Sequence, residues 1–150
     1  SMSRDVIASR HAAMMSSYRL SGPVQKAGQA MRSVGEQLDA LDAMLEAAEN
    51  SSDALAEQIQ SVRDALDEIG NELDDVSGGA NVWGRIQGVS GPATADAAWM
   101  IDAGWDRVPA VIAQMNSLMS GDVAALYRTA YQDATRPALP GTIVMPSRGR

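Results

Sequence analysis

The stretch LAEQIQSVRDALDEIGNELDDV, from Leu55 to Val76, decides the fold. Its apolar residues Leu55, Ile59, Val62, Leu66, Ile69, Leu73 and Val76 recur at alternating steps of four and three. That spacing draws one stripe along an α-helix, whereas a β-strand needs a period of two. The charges Glu57, Asp64, Asp67, Glu68 and Asp74 all fall off the stripe, as a solvated face requires.

The same pattern lies on either side. Upstream, Val24, Ala27, Met31, Val34, Leu38, Leu41, Leu45 and Ala48 form one seam, with Asp39, Asp42 and Glu46 off it. Downstream, Ala98, Ile101, Trp105, Val108, Ile112, Met115 and Met119 form another. Each stretch is about 25 residues, or roughly 38 Å of helix. Seams of equal length can cover one another from end to end, which favours a closed bundle over an extended coiled coil. The fold class expected is therefore all-α: an antiparallel bundle of three long helices plus shorter N- and C-terminal helices.

The connections fit that plan. Glu49 to Asp53 is a short polar turn in which Asn50, Ser51 or Ser52 can cap the second helix. A link that short turns the chain back on itself. Ser77-Gly78-Gly79 reads as the stop of the second helix, because glycine accepts the left-handed conformation of a C-terminal cap. A short helix over Val82, Ile86 and Val89 follows, and Ser90-Gly91-Pro92 breaks the chain again. Thr94 is the expected N-cap of the third helix, and Pro109 should kink it. Beyond Ser120-Gly121-Asp122, Val123, Leu126, Tyr127 and Ala130 mark a shorter helix. At the other end, Ile7, His11, Met14 and Tyr18 mark an N-terminal helix, with a kink or short break expected at Ser21-Gly22-Pro23. The bundle domain spans 1–136. The remainder, 137–150, contains Pro137, Pro140 and Pro146 and should be extended, docking through Ile143, Val144 and Met145.

The totals narrow the function. The 150 residues are 45% hydrophobic and 21% charged, which is the profile of one folded domain with a core. Phe is absent and Ala abundant, so the helices can approach closely around a thin core. A net charge of -7, with a pI near 4.5, opposes phosphate backbones and anionic headgroups, so nucleic acid is not an expected partner. No apolar run reaches the roughly 20 residues of a bilayer span, so membrane insertion is not expected. The lack of cysteine removes disulfides and thiolate chemistry. Ser1-Met2 reads as a tag remnant ahead of a start residue, so an export signal could have preceded it.

No residue pattern points to catalysis. His11 is the sole histidine and has no second imidazole or thiol with which to share a metal. The carboxylates belong to outward faces, where none would be held protonated as a general acid. The glycine-rich segment from Gly78 to Gly91 follows a helix rather than a strand and lacks the Gly-Lys-Ser/Thr ending of a phosphate loop. Neither cofactor nor metal is expected. Trp105 lies on the third seam and is expected in the core. Trp83 and Trp99 either plug the end of the bundle or flank a groove, since tryptophan concentrates at interface hot spots. The nine Met residues can fill core gaps or form an adaptable binding surface. The residues singled out for partner contact are Trp83, Arg85, Trp99, Met115 and Tyr127.

The order of features also resembles a family. Asp5-Val6-Ile7-Ala8-Ser9-Arg10-His11 opens the first helix, and Leu20-Ser21-Gly22-Pro23 leads into a long Ala/Leu hairpin. Gly91-Pro92-Ala93-Thr94, Trp99 to Ala103, Met115-Asn116-Ser117-Leu118, Asp122 to Tyr127 and Pro140-Gly141 follow. This layout resembles the C-terminal helical module of bacterial sortilin-like, or glycosyl-hydrolase-like, β-propeller repeat proteins. The resemblance implies a non-catalytic accessory module of an exported protein, with carbohydrate or peptide chemistry left to the propeller. It carries no catalytic residue over to this chain. The partner expected is protein: an upstream propeller of its own, a second copy, or another chain. The alternative expectation is a small-molecule-binding bundle with an apolar Met- and Trp-lined pocket.

Overall fold

The computed structural model describes residues 3–48, 52–82, 94–132 and 136–149. Three helices pack together: α1 (Arg4–Ala47), α2 (Asp53–Asn81) and α3 (Ala95–Leu118). A π-helical turn, Met119–Val123, carries α3 into the short α4 (Ala124–Ala130). No strand occurs among the described residues. The helices start where the sequence supplies caps. Ser3, Ser52 and Thr94 accept hydrogen bonds from the amides of Val6, Leu55 and Ala97, each three residues on. Asn50 and Ser51, the other candidate caps, lie outside the described residues.

The middle seam is buried as expected. Ile59, Val62, Leu66, Ile69, Leu73 and Val76 are all in the core, and Leu55 packs against it. On α1, Ala27, Val34, Leu38 and Leu41 are buried, and Val24, Met31 and Leu45 pack against them. Ala48 is exposed at the helix end, and Ala30 is buried instead. On α3, Ile101, Val108, Ile112 and Met115 are buried, but Ala97 takes the inward position expected of Ala98. Cross-helix contacts reveal direction. Ser17 meets Gly79, Met31 meets Gly70, and Asp39 and Asp42 meet Arg63. One number rises as the other falls, so α1 and α2 run antiparallel. Gly79 against Gly104, together with Ala65 and Ile69 sharing a groove with Ser117 and Leu118, gives α2 and α3 the same relation.

Four expectations about continuity are corrected. There is no separate N-terminal helix: α1 runs unbroken for 44 residues through Pro23. Proline inside a helix costs about 3 kcal/mol. Against that stands one continuous buried stripe of Ser17, Leu20, Pro23, Ala27, Ala30 and Val34, which spans the proline on both sides. Burying a single large aliphatic side chain contributes about 1.5–3 kcal/mol, so the packing wins. The second helix does not stop at Ser77-Gly78-Gly79 but continues to Asn81. The chain does not break at Ser120-Gly121-Asp122, where the π turn keeps Met119 and Val123 buried. Lastly, the helices are unequal, at 44, 29 and 24 residues. At 1.5 Å per residue α1 is about 66 Å long and α2 about 44 Å.

The extra length of α1 defines the architecture. Ser17 already sits level with Gly79 near the end of α2, so residues before it lie beyond most of that helix. There α1 packs on the first turns of α3: Ala13 and Met14 join Val82, Ala97 and Ile101 in a small second cluster. The stretch 136–149 is extended and docks by Ile143, with Leu139 and Met145 packing against the core. Val144, expected to dock beside them, is 74% exposed. The expected short helix over 82–89 falls almost wholly outside the described residues.

Candidate functional site

The overhang of α1 leaves an open groove against the start of α3. Ala8, Ala12, Met15 and Arg19 recur at steps of four, three and four, so they form one stripe of α1. Facing them are Ala98, Ile101 and Asp102 of α3. Alanines on both walls keep the helices from filling the space, and a groove of about 530 Å³ remains. Its lining includes Ala12, Met15 and Ile101, while His11, Arg19, Asp102 and Arg148 supply the polar groups.

Trp105 stands beside this groove. It packs against both apolar clusters, as its place on the seam requires, but is only half-buried, and its indole N–H finds acceptors on α1. It donates to the backbone oxygen of Ser16 at 3.1 Å and to the Ser16 hydroxyl at 2.9 Å. The Arg148 guanidinium lies 5.9 Å from the Trp105 ring centroid and pairs with Asp102 at 2.5 Å. Arg19 of α1 donates to the backbone oxygen of Arg148 at 2.6 Å. The ion pair is solvent-exposed and by itself contributes at most about 1 kcal/mol. Stacking on an exposed aromatic face adds about 0.5–1 kcal/mol.

Further along α3, Asn116 grips the same extended segment. Its carboxamide donates to the Ile143 backbone oxygen and accepts from the Ile143 amide, both at 2.9 Å. Ile143 is thereby inserted in the core at 5% exposure.

The five singled-out residues do not come together. Trp83 and Arg85 lie outside the described residues. Trp99 does not plug the bundle: it is 71% exposed on α3, next to Ala98 of the groove. Met115 is wholly buried in the close-packed core, so as folded it offers no surface to a partner or pocket ligand. Tyr127 is also buried, edge-on to Tyr131 with ring centroids 6.0 Å apart. Its hydroxyl has no hydrogen-bond partner among the described residues, and burial, with a smaller contribution from Tyr131, pushes its pKa up to about 12. It is therefore protonated at neutral pH.

Arg19, Asp102, Asn116 and Arg148, which pattern reading passed over, are the ones the fold assembles. One signal was present: Asp102 and Trp105 are three apart on one helix, so an acid and an aromatic face share a stripe. That is the combination an arginine recognises. Among the described residues, no three His, Cys, Asp or Glu side chains gather as a metal site, and no helix is long and apolar enough to cross a membrane. No family model, curated protein or solved structure matches the chain.

Proposed function

We propose that this chain is a non-catalytic protein-interaction module whose contact face is the α1–α3 groove with Trp99 at its edge. The observation that carries the reading is Trp99 itself, 71% exposed and one residue along α3 from Ala98, which lines an open groove of apolar and polar groups. A solvent-exposed indole on a rigid helix offers a large contact area at little cost in conformational entropy, which is why tryptophan concentrates at hot spots. Alanine walls admit a side chain from a partner, and Arg19 and Asp102 supply charges of both signs to orient it. The resemblance to a propeller-associated helical module agrees with this reading. On it, the partner is a propeller of the same exported protein, and the long helices serve as a rigid mount for the groove.

A photo-crosslinking amino acid at position 99, in the full chain within its own cells, tests the proposal. The same group at Asp64, exposed on α2, is the control. Position 99 should yield a discrete protein adduct that position 64 does not. Equal labelling at the two positions would remove the case for a contact face.

A further inference from the structure

We infer that the α3 surface formed by Asn116, Trp105 and Asp102, with Arg19 of α1, recognises an extended peptide carrying an aliphatic residue followed five positions later by arginine. The chain's own residues 143–148 occupy this site in cis. The inference rests on the interaction-module reading and names the partner class of that face.

The segment is bound as a peptide ligand is bound. It carries no helix or strand of its own, so side chains of the bundle hold it. Asn116 exchanges both hydrogen bonds with the backbone of Ile143, as a neighbouring strand would. Those bonds read an extended backbone irrespective of the side chain it carries. Specificity comes from what alternates along it: Ile143 is buried, Val144 exposed and Met145 partly buried, the two-residue period of an extended chain on a surface. The second anchor is Arg148, held by Asp102, the Trp105 face and, through its backbone oxygen, Arg19.

The anchor spacing is a matched pair of lengths. Five residues of extended chain from Ile143 to Arg148 span about 17 Å. On α3, Trp105 and Asp102 lie eleven and fourteen residues back from Asn116, about 17 and 21 Å, and the reach of an arginine side chain covers the difference. The peptide therefore runs antiparallel to α3, with each anchor opposite its receptor. The polar receptor groups Asn116, Asp102, Trp105 and Arg19 all belong to α1 or α3, so none of them leaves with the segment. Arg148 and Gly149 themselves line the groove together with Ala8, Ala12 and Met15, which gives a longer peptide further surface.

Fluorescence anisotropy with a labelled peptide of residues 139–149, LPGTIVMPSRG, tests this on the full chain. The wild-type chain should bind it weakly, because the tethered segment competes at high effective concentration. Arg148→Ala and Ile143→Asp in the chain weaken that competitor, and either should tighten peptide binding by roughly tenfold or more. Asn116→Ala added to either variant should abolish it. Arg148 is exposed, so its variant keeps the test valid if Ile143→Asp unfolds the bundle. Binding no tighter than wild type in the Arg148→Ala chain would overturn the inference. So would equal binding of peptides carrying Ile143→Asp or Arg148→Ala. A concentration-dependent dimer of the wild type, lost in Asn116→Ala, would also overturn it by assigning the site to a second copy. If the peptide fails while crosslinking at position 99 persists, the interaction module stands and only its peptide ligand falls.

Discussion

Gly79 of α2 and Gly104 of α3 face each other at the point where three helices meet. A Cβ on Gly79 would lie 3.4 Å from the Gly104 Cα and would collide with the backbone oxygen of Met100. Ser17 of α1 closes the junction by donating its buried hydroxyl to the Gly79 oxygen at 2.6 Å. Backbone meets backbone here, with no flexible side chain to give way.

Gly79→Ala should therefore destabilise the bundle by roughly 1–3 kcal/mol, the cost of overpacking a rigid contact. Gly104→Ala should cost less, because its nearest obstacle is the Leu20 Cδ1 at 2.7 Å, the movable end of a side chain. Urea midpoints of the two variants give the comparison. A Gly79→Ala midpoint at or above that of Gly104→Ala would show that the close approach does not control packing.

Two other glycines should respond in the opposite direction. Gly28 and Gly35 lie within α1, and a Cβ on either would meet nothing within 4 Å. Alanine there removes the entropic penalty of glycine in a helix without a clash. Each of Gly28→Ala and Gly35→Ala should raise stability by about 0.5–1 kcal/mol, visible as a higher Tm.

Among the described residues the buried hydroxyl of Tyr127 has no partner, and such a group is expensive to desolvate. Tyr127→Phe should raise stability at neutral pH by about 1 kcal/mol. The same residue makes an alkaline prediction. Its pKa stands at about 12 in the fold against the usual 10.0. The folded state thus holds the proton more tightly than the unfolded one. The contribution is whole below pH 10 and is lost as pH rises through about 12. Wild type should lose on the order of 1–3 kcal/mol over that window in excess of Tyr127→Phe. Parallel denaturation curves for the two proteins from pH 9 to about 12 would contradict the assignment.

Asn116→Ala should free the extended C-terminal segment while leaving the helices intact. The Ile143 amide loses its acceptor, and its hydrogen exchange should accelerate by roughly five- to thirteen-fold for a bond worth about 1–1.5 kcal/mol. Amides within α2 should keep their protection. Asn116→Asp still accepts from the Ile143 amide but cannot donate to its oxygen, so it should fall between the two.

Much of this was legible along the chain. The stripe from Ile59 to Val76 is buried as the spacing required, and Ser52 and Thr94 cap their helices. These are local facts: a helix repeats every 3.6 residues, and a cap bonds to an amide three residues away. The site was far less legible. Met115 and Tyr127 turned out to be core, whereas Arg148 meets Asp102 across 46 residues of sequence and Arg19 across 129. No window along the chain contains such a pairing.

Sequence by itself determined that three long stretches are helical, where two of their starts lie, and the greater part of the face each turns inward. Spacing and capping act within a few residues, so they are written where they act. Tertiary structure alone decided that α1 crosses Pro23 unbroken, because burial on both sides outweighs a missing hydrogen bond. It alone decided that Gly79 serves a helix crossing rather than a helix stop, because the clash it avoids is with another helix. It also left Trp99 in solvent and laid the extended tail along α3. A side chain's exposure and a tail's docking depend on what the remainder of the chain brings alongside, and that partner is chosen only when the helices pack.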